Sequence, residues 1–190
     1  MISKITICNL ALAQLGQAPI SSLTQEDEKA RRLNLFYEPV RDEVLRSHNW
    51  GFATAEEPLA LVEKQENRFL YKYPQEALFI HRVYQEPYRH TPFRELFHPK
   101  YRIRVLESAC PQAWAEYTRR AEDENQFDAS FVKSFSLALA ADLAVSLTGD
   151  NALAAQILQK YTLSLDEARR SNMTENFAQS GQTDAFTEVR

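Results

Sequence analysis

The stretch ICNLALAQLGQAPISSLTQEDEKARRLNLFYEPVRDEVLRSHNWGFA, residues 7 to 53, decides the fold class. Ile5, Leu12 and Leu15 fall on one helical stripe, and Gly16 stands where a left-handed C-terminal cap belongs. QAPISSL is turn chemistry. Thr24 followed by Asp27 resembles a capping box, with Asp in place of Glu, and is expected to start a second helix. Ala30, Leu33, Tyr37, Val40 and Val44 step by three and four along one face. Pro39 lies inside that pattern, removes a backbone donor and crowds the Leu35 carbonyl, so a kink or an outright break is expected there.

From Glu57 the period changes. PLALVE, RFLYKY, ALFIHRVYQ and YRIRVLES are short runs of aromatic and branched residues punctuated by Pro74, Pro87, Pro92, Pro99 and Pro111, which predicts antiparallel strands with long turns. AWAEYTRR, residues 113 to 120, satisfies both periods. After AEDENQFD the helical period returns, with Asp128 as N-cap and Phe131, Phe135, Ala138, Asp142 and Val145 in line. Ala141, Ala144 and Thr148 form a small-residue stripe beside it. Gly149 and Asp150 end this helix and start the next, whose inner face reads Ala154, Ile157, Leu158, Tyr161 and Leu165 and fades near Asn172.

The fold class expected is therefore α+β: an antiparallel helical bundle of two N-terminal and two C-terminal helices with an inserted antiparallel β domain. Residues 1–56 and 121–172 would form the bundle, 57–120 the insertion and 173–190 a flexible tail. Its buried anchors would be Leu12, Leu33, Phe36 or Tyr37, Val44, Phe131, Phe135, Leu139, Leu158 and Tyr161.

At 190 residues the chain can bury a sizeable core, and 44% hydrophobic with 25% charged residues is ordinary for a soluble protein. Net charge −4 argues against general affinity for nucleic acid. Cys8 and Cys110 lack metal-ligand spacing and read as reduced thiols in a cytoplasmic setting. No signal peptide is apparent at the N-terminus, and the most apolar run, FSLALAADLAVSL at 135 to 147, is too short and carries Asp142.

Candidate chemistry is thin. His81, His90 and His98 fall in the β region and His48 before it, without the H-x-H or H-x-x-x-H pairs of common zinc or iron sites. Glu122, Asp123 and Glu124 lack the alternation and central glycine of a calcium loop and read as a solvated turn. Asp142 in an apolar run is either a buried acid of raised pKa or, the commoner case, solvent-facing or arginine-paired. RFLYKY resembles a single-strand-binding platform, although its alternation fits core aromatics better. With four glycines and no phosphate-binding or nucleophile-elbow motif, no catalytic, cofactor or metal site is expected.

The same residues carry a resemblance. Leu15 and Gly16, the turn Pro19 to Leu23, Tyr37, Arg41, Asp42 and Leu45, and the aromatic exit at Trp50 and Phe52 resemble the opening of the tail tubular protein A family of short-tailed phages, the head-to-tail adaptors or gatekeepers. RFLYKYPQEALFIHRVY resembles that family's strand pair, with Glu76 near its acidic place and Arg82-Val83 near the basic one, at displaced spacing. Phe127, Asp128 and Phe131 match its Phe-Asp-x-x-Phe helix start, and the family pattern makes AWAEYTRR a strand. The resemblance covers roughly residues 7 to 172.

It implies a virion structural protein without catalysis or cofactor. Its subunits would form a ring, a dodecamer, between the portal protein and the tail nozzle protein, assembled in the host cytoplasm and resident in the virion. Genomic DNA would pass through the lumen without sequence-specific binding, and a negative charge suits such a passage. Two other classes fit the residues: a small non-enzymatic adaptor or regulatory binding protein acting as a monomer or dimer, and a metal-dependent hydrolase using the histidines. Phe177 and Phe186, spaced along an otherwise polar tail, are the expected portal anchors.

Overall fold

The computed structural model describes residues 2–85 and 90–180, with side chains to Ser171. The described residues form an α+β protein of four α-helices and two antiparallel sheets. The chain divides into two units, Met1–Val44 with Asp123–Arg190 and Leu45–Glu122.

The first unit is helical. Helix α1 (Lys4–Gln14) is capped by the Ser3 side chain, which accepts from Thr6 N. It ends in a Schellman turn: Gly16 N donates to Ala13 O, Gln17 N to Leu12 O, and Gly16 takes φ +65°. The following turn is pinned by Asn9, whose side chain accepts from Ile20 N at 2.9 Å and donates to Ile20 O at 3.0 Å. Helix α2 (Glu28–Ser47) starts later than the Thr24 reading. Asp27, not Thr24, supplies the cap, accepting from Lys29 N at 3.2 Å, while Thr24 N and hydroxyl are taken up with Ser22. The helix runs through Pro39 without a break.

Helix α3 (Ala129–Thr148) is the core of this unit. Asp128 Oδ1 accepts from Phe131 N at 2.6 Å, and Gly149 closes the far end at φ +70°. From Phe131 to Ala140 nearly every side chain is buried, so the helix is apolar all round rather than striped. By length and composition it is apolar enough to cross a membrane, which the run 135–147 alone is not; most of it lies inside the protein. It packs against α1 and against α4 (Asn151–Ser180), and Phe135 meets the Tyr37 ring of α2 edge-on at 4.9 Å.

The expected line through Asp142 and Val145 is corrected. Both are exposed, and Leu143 and Ala144 turn inward instead. On α4, Leu158 is 55% exposed and Tyr161 half-buried, whereas Ile157, Ser164, Leu165 and Ala168 face inward. Ile157 and Leu158 are both apolar, but neighbours in sequence lie about 100° apart on a helix, and Ile157 takes the inner position. Phe36 is half-buried and Tyr37 is fully buried. The other expected anchors, Leu12, Leu33, Val44, Phe131, Phe135 and Leu139, are all fully buried.

α4 also continues past the expected fade at Asn172 to Ser180. No glycine or proline interrupts Asn151–Ser180, and alanine, leucine, glutamate and arginine sustain the backbone. The part of the expected flexible tail before residue 181 is thus helical.

The second unit is a pair of four-stranded antiparallel sheets. Its strands are β1 (Thr54–Pro58), β2 (Leu61–Gln65), β3 (Arg68–Lys72), β4 (Ala77–Tyr84), β5 (His90–Thr91), β6 (Phe93–His98), β7 (Ile103–Ser108) and β8 (Trp114–Arg119). The orders are β1-β8-β4-β5 and β2-β3-β7-β6. AWAEYTRR is a strand and lies centrally, with Tyr117 opposite Ala55 on β1 and Ile80 on β4. β5 and β6 sit where the sequence predicts a long turn. Pro92 separates them and Pro99 follows, and both strands are sheet edges, the one place such flanking prolines are tolerated.

The two sheets share one core. Tyr71 and Leu106 from one meet Ile80, Val83, Ala115 and Tyr117 from the other, with Tyr73, Cys110 and Ala113 among them. Within this unit, which spans Leu45–Glu122, Arg46 donates to Leu78 O at 2.7 Å and Arg119 to Phe52 O at 3.2 Å, tying the α2 end and the Gly51–Ala53 turn to the strands.

Candidate functional site

The run Tyr37, Arg41, Asp42 and Leu45 carries much of the resemblance, and its residues are interior except for the half-buried Asp42. Tyr37 and Leu45 are fully buried and Arg41 is 5% exposed. In the helical unit the Tyr37 hydroxyl donates to Glu124 at 3.1 Å, and Lys4 sits over its ring at 4.5 Å. Burial, then the charge of Glu124, pushes the Tyr37 phenol far above its ordinary range. Arg41 holds Asp42 through two hydrogen bonds, at 3.0 and 2.9 Å. A buried guanidinium without such a partner would be strongly destabilising. These residues fix the helical frame.

The acidic trio is therefore not simply a solvated turn. Asp123 caps the short turn Glu124–Gln126 by accepting from Asn125 N at 3.0 Å, and Glu124 is tied to Tyr37. Nothing in the local sequence signals that link, because the residues are far apart in the chain.

The histidines are dispersed. His48 meets Trp50 edge-on at 4.9 Å. His81 shares a 2.8 Å hydrogen bond with Thr118, and burial lowers its pKa. His90 lies exposed on β5. His98 Nδ1 accepts from Tyr101 N at 3.4 Å, which leaves Nε2 to face Glu63 at 3.4 Å. Among the described residues no three His, Cys, Asp or Glu side chains come together as a metal site. Cys8 and Cys110 are buried free thiols, and burial pushes Cys8 up to about 12. Asp142 is exposed at its residue surface, yet desolvation, then the nearby Glu43, raises its pKa.

RFLYKY contributes Phe69, Leu70, Tyr71 and Tyr73 to the interior of the β unit, not to an open platform. What the β unit does expose is an apolar hairpin. Leu96, Phe97 and Tyr101 are 38%, 63% and 44% exposed, next to the unpaired edge of β6. Unpaired edges with exposed apolar residues are templates for association.

Two clefts lie on either side of the segment after β3. One, about 570 Å³, is lined by Glu57, Glu76, Lys72, Tyr73 and Tyr117 among others. There Tyr117 donates to Glu57 at 3.2 Å, and burial, then the Glu57 charge, pushes its phenol up to about 12. The other, about 400 Å³, is lined by Lys72, Tyr73, Arg104 and Arg120 with apolar and amide neighbours. The Arg104 guanidinium lies over the Tyr73 ring, 3.8 Å from its centroid. The Tyr73 hydroxyl is buried without a hydrogen-bond partner. An unmade hydrogen bond of that kind costs about 1–3 kcal/mol. Neither cleft is announced by the sequence. The alternation of Arg102 and Arg104 in YRIRVLES is the nearest signal.

Of the expected portal anchors, Phe177 falls on the backbone of α4 beyond the described side chains, and Phe186 lies outside the described residues. Comparison with family models and with curated proteins finds nothing that matches the chain.

Proposed function

We propose that the chain is a virion structural subunit of the head-to-tail adaptor kind, a tail tubular or gatekeeper protein without enzymatic activity. In this reading the four helices are an antiparallel bundle and the β unit is its insertion. Copies close into a ring between a portal protein and a tail nozzle protein, and DNA passes through the lumen during ejection. The dodecamer, the virion location and the Phe177 and Phe186 portal anchors belong to the same proposal.

One observation carries most weight. Two helices, a β-rich stretch and two helices is the order that the resemblance calls for, and the residues of the Tyr37 to Leu45 run are spent on the frame rather than on a site. The apolar β6–β7 hairpin supports it further, because a ring contact pairs two different faces of each subunit and needs at least one face that is sticky. Purified protein mixed with the portal protein from the same genome should give stacked rings by electron microscopy and a mass many subunits above the monomer. A fixed monomer or dimer that ignores the portal would replace this reading with the small-adaptor one.

A further inference from the structure

The second cleft of the β unit has a charge bias that an inert conduit subunit does not require. Lys72, Arg104 and Arg120 line it, and among the described residues it has no carboxylate in its lining. The neighbouring cleft, across the same segment, has Glu57 and Glu76. Lys72 lines both clefts, and the two arginines line only the second.

The three come from separate places in the fold: the end of β3, the start of β7 and the residue following β8. The backbone fixes them to one another. Tyr73 N donates to Arg104 O at 3.2 Å, and Arg120 N to Glu76 O at 2.8 Å. Arg104 lies over the Tyr73 ring and donates to Glu95 at 2.7 Å. A guanidinium carries five donors in a fork, so one carboxylate contact does not exhaust it. Tyr73, which also lines the cleft, is 8% exposed and keeps a buried hydroxyl without an acceptor.

The geometry points to this cleft as a binding site for a phosphate oxyanion. A carboxylate brings one charge and two oxygens. A phosphate brings up to two charges and more oxygens, which suits a cleft lined by two guanidiniums and a lysine. Two sources share this chemistry, free phosphate and the phosphodiester backbone of nucleic acid. The site stands whether or not the chain forms a ring.

The test is calorimetric titration of the full chain at low ionic strength with sodium phosphate, and with sodium acetate as comparison. Saturable phosphate binding, with acetate at least tenfold weaker, is expected. The combined variant Lys72→Gln, Arg104→Gln, Arg120→Gln should lose phosphate affinity at least tenfold, while Arg94→Gln, an exposed arginine outside the cleft, should keep it. Should the combined variant fail to fold by circular dichroism, the exposed single changes Lys72→Gln and Arg120→Gln carry the test, each with a several-fold loss. A short DNA duplex that displaces phosphate identifies the backbone as the source, and one that does not identifies the free ion. Absence of saturable binding, equal binding of acetate, or full affinity in the cleft variants overturns the proposal.

Discussion

The helical unit and the β unit bury different kinds of side chain. Around α3 the interior is phenylalanine, leucine and alanine, and the few polar groups that enter find partners there: Tyr37 on Glu124, Arg41 on Asp42, Ser134 on Ser164. The β unit builds its core from tyrosines and small residues. Their rings pack inside; Tyr117 and Tyr84 donate to rim carboxylates, Glu57 and, at 2.9 Å, Glu56, whereas the Tyr71 hydroxyl donates to Cys110 O within the core and the Tyr73 hydroxyl is buried with no partner. A core of the first kind depends on volume. A core of the second kind depends also on protons and on acidic side chains at its rim, which places ionisable chemistry at the surface of the β unit.

Phe135→Ala tests the first half of that contrast. Phe135 is fully buried against Tyr37 and Phe131, with ring centroids at 4.9 and 5.7 Å. Its truncation should cost about 3–5 kcal/mol in denaturant unfolding followed by the helical signal. A loss below about 1 kcal/mol would mean the cavity collapses freely and volume is not what holds this unit.

Alkali tests the second half. Burial is the leading cause that raises the phenols of Tyr71, Tyr73, Tyr84 and Tyr117 in the β unit, against Tyr37 in the helical unit. A phenol kept neutral in the folded state while the unfolded chain ionises near about 10 binds more protons when folded. Stability is therefore complete below that pH and falls as pH rises, through about 12 for Tyr117. The near-ultraviolet signal of the β unit should be lost at lower pH than the far-ultraviolet helical signal. Loss of the helical signal first would reverse the comparison.

How much of each unit is legible in the sequence follows the same division. Helix ends are written in short range: Gly16, Asp128, Gly149 and Asp150 all act as read, because a cap is a contact within a few residues. The inner face of α4 is harder, since Leu158 and Ile157 are equally apolar and only the neighbouring helix decides between them. In the β unit the central strands are legible from alternation, but β6 is not. Its residues Arg94 and Glu95 are exposed, prolines flank it, and only pairing with β7 makes it a strand. The cation cleft is less legible still, because Lys72, Arg104 and Arg120 meet only through strand order.

A cap change gives a smaller effect that sharpens the same point. Asp128→Ala removes the side chain that accepts from Phe131 N at the start of α3. It should cost about 1 kcal/mol, within the range of roughly 0.5–2 for such caps. Asp128→Asn should restore most of it. If the asparagine variant is as unstable as the alanine one, the carboxylate charge, and not the hydrogen bond, is what the helix start uses.

The smallest effect separates two tyrosines of the β core. Tyr117 and Tyr73 are 5% and 8% exposed and belong to the same cluster. Tyr117 donates to Glu57 at 3.2 Å, so Tyr117→Phe forfeits a hydrogen bond to a charged acceptor and should cost about 1 kcal/mol. Tyr73 has no acceptor for its buried hydroxyl, and its ring remains stacked under Arg104 when the oxygen is removed. Tyr73→Phe should therefore leave stability within about 0.5 kcal/mol of the parent, or raise it, since a buried polar group that made no bond is gone. Added phosphate should stabilise the parent by mass action, and less so the Tyr73→Phe protein if the phenol donates to the bound ion. A clear destabilisation by Tyr73→Phe in phosphate-free buffer would show that this hydroxyl is already satisfied, and the two tyrosines would then belong to one class.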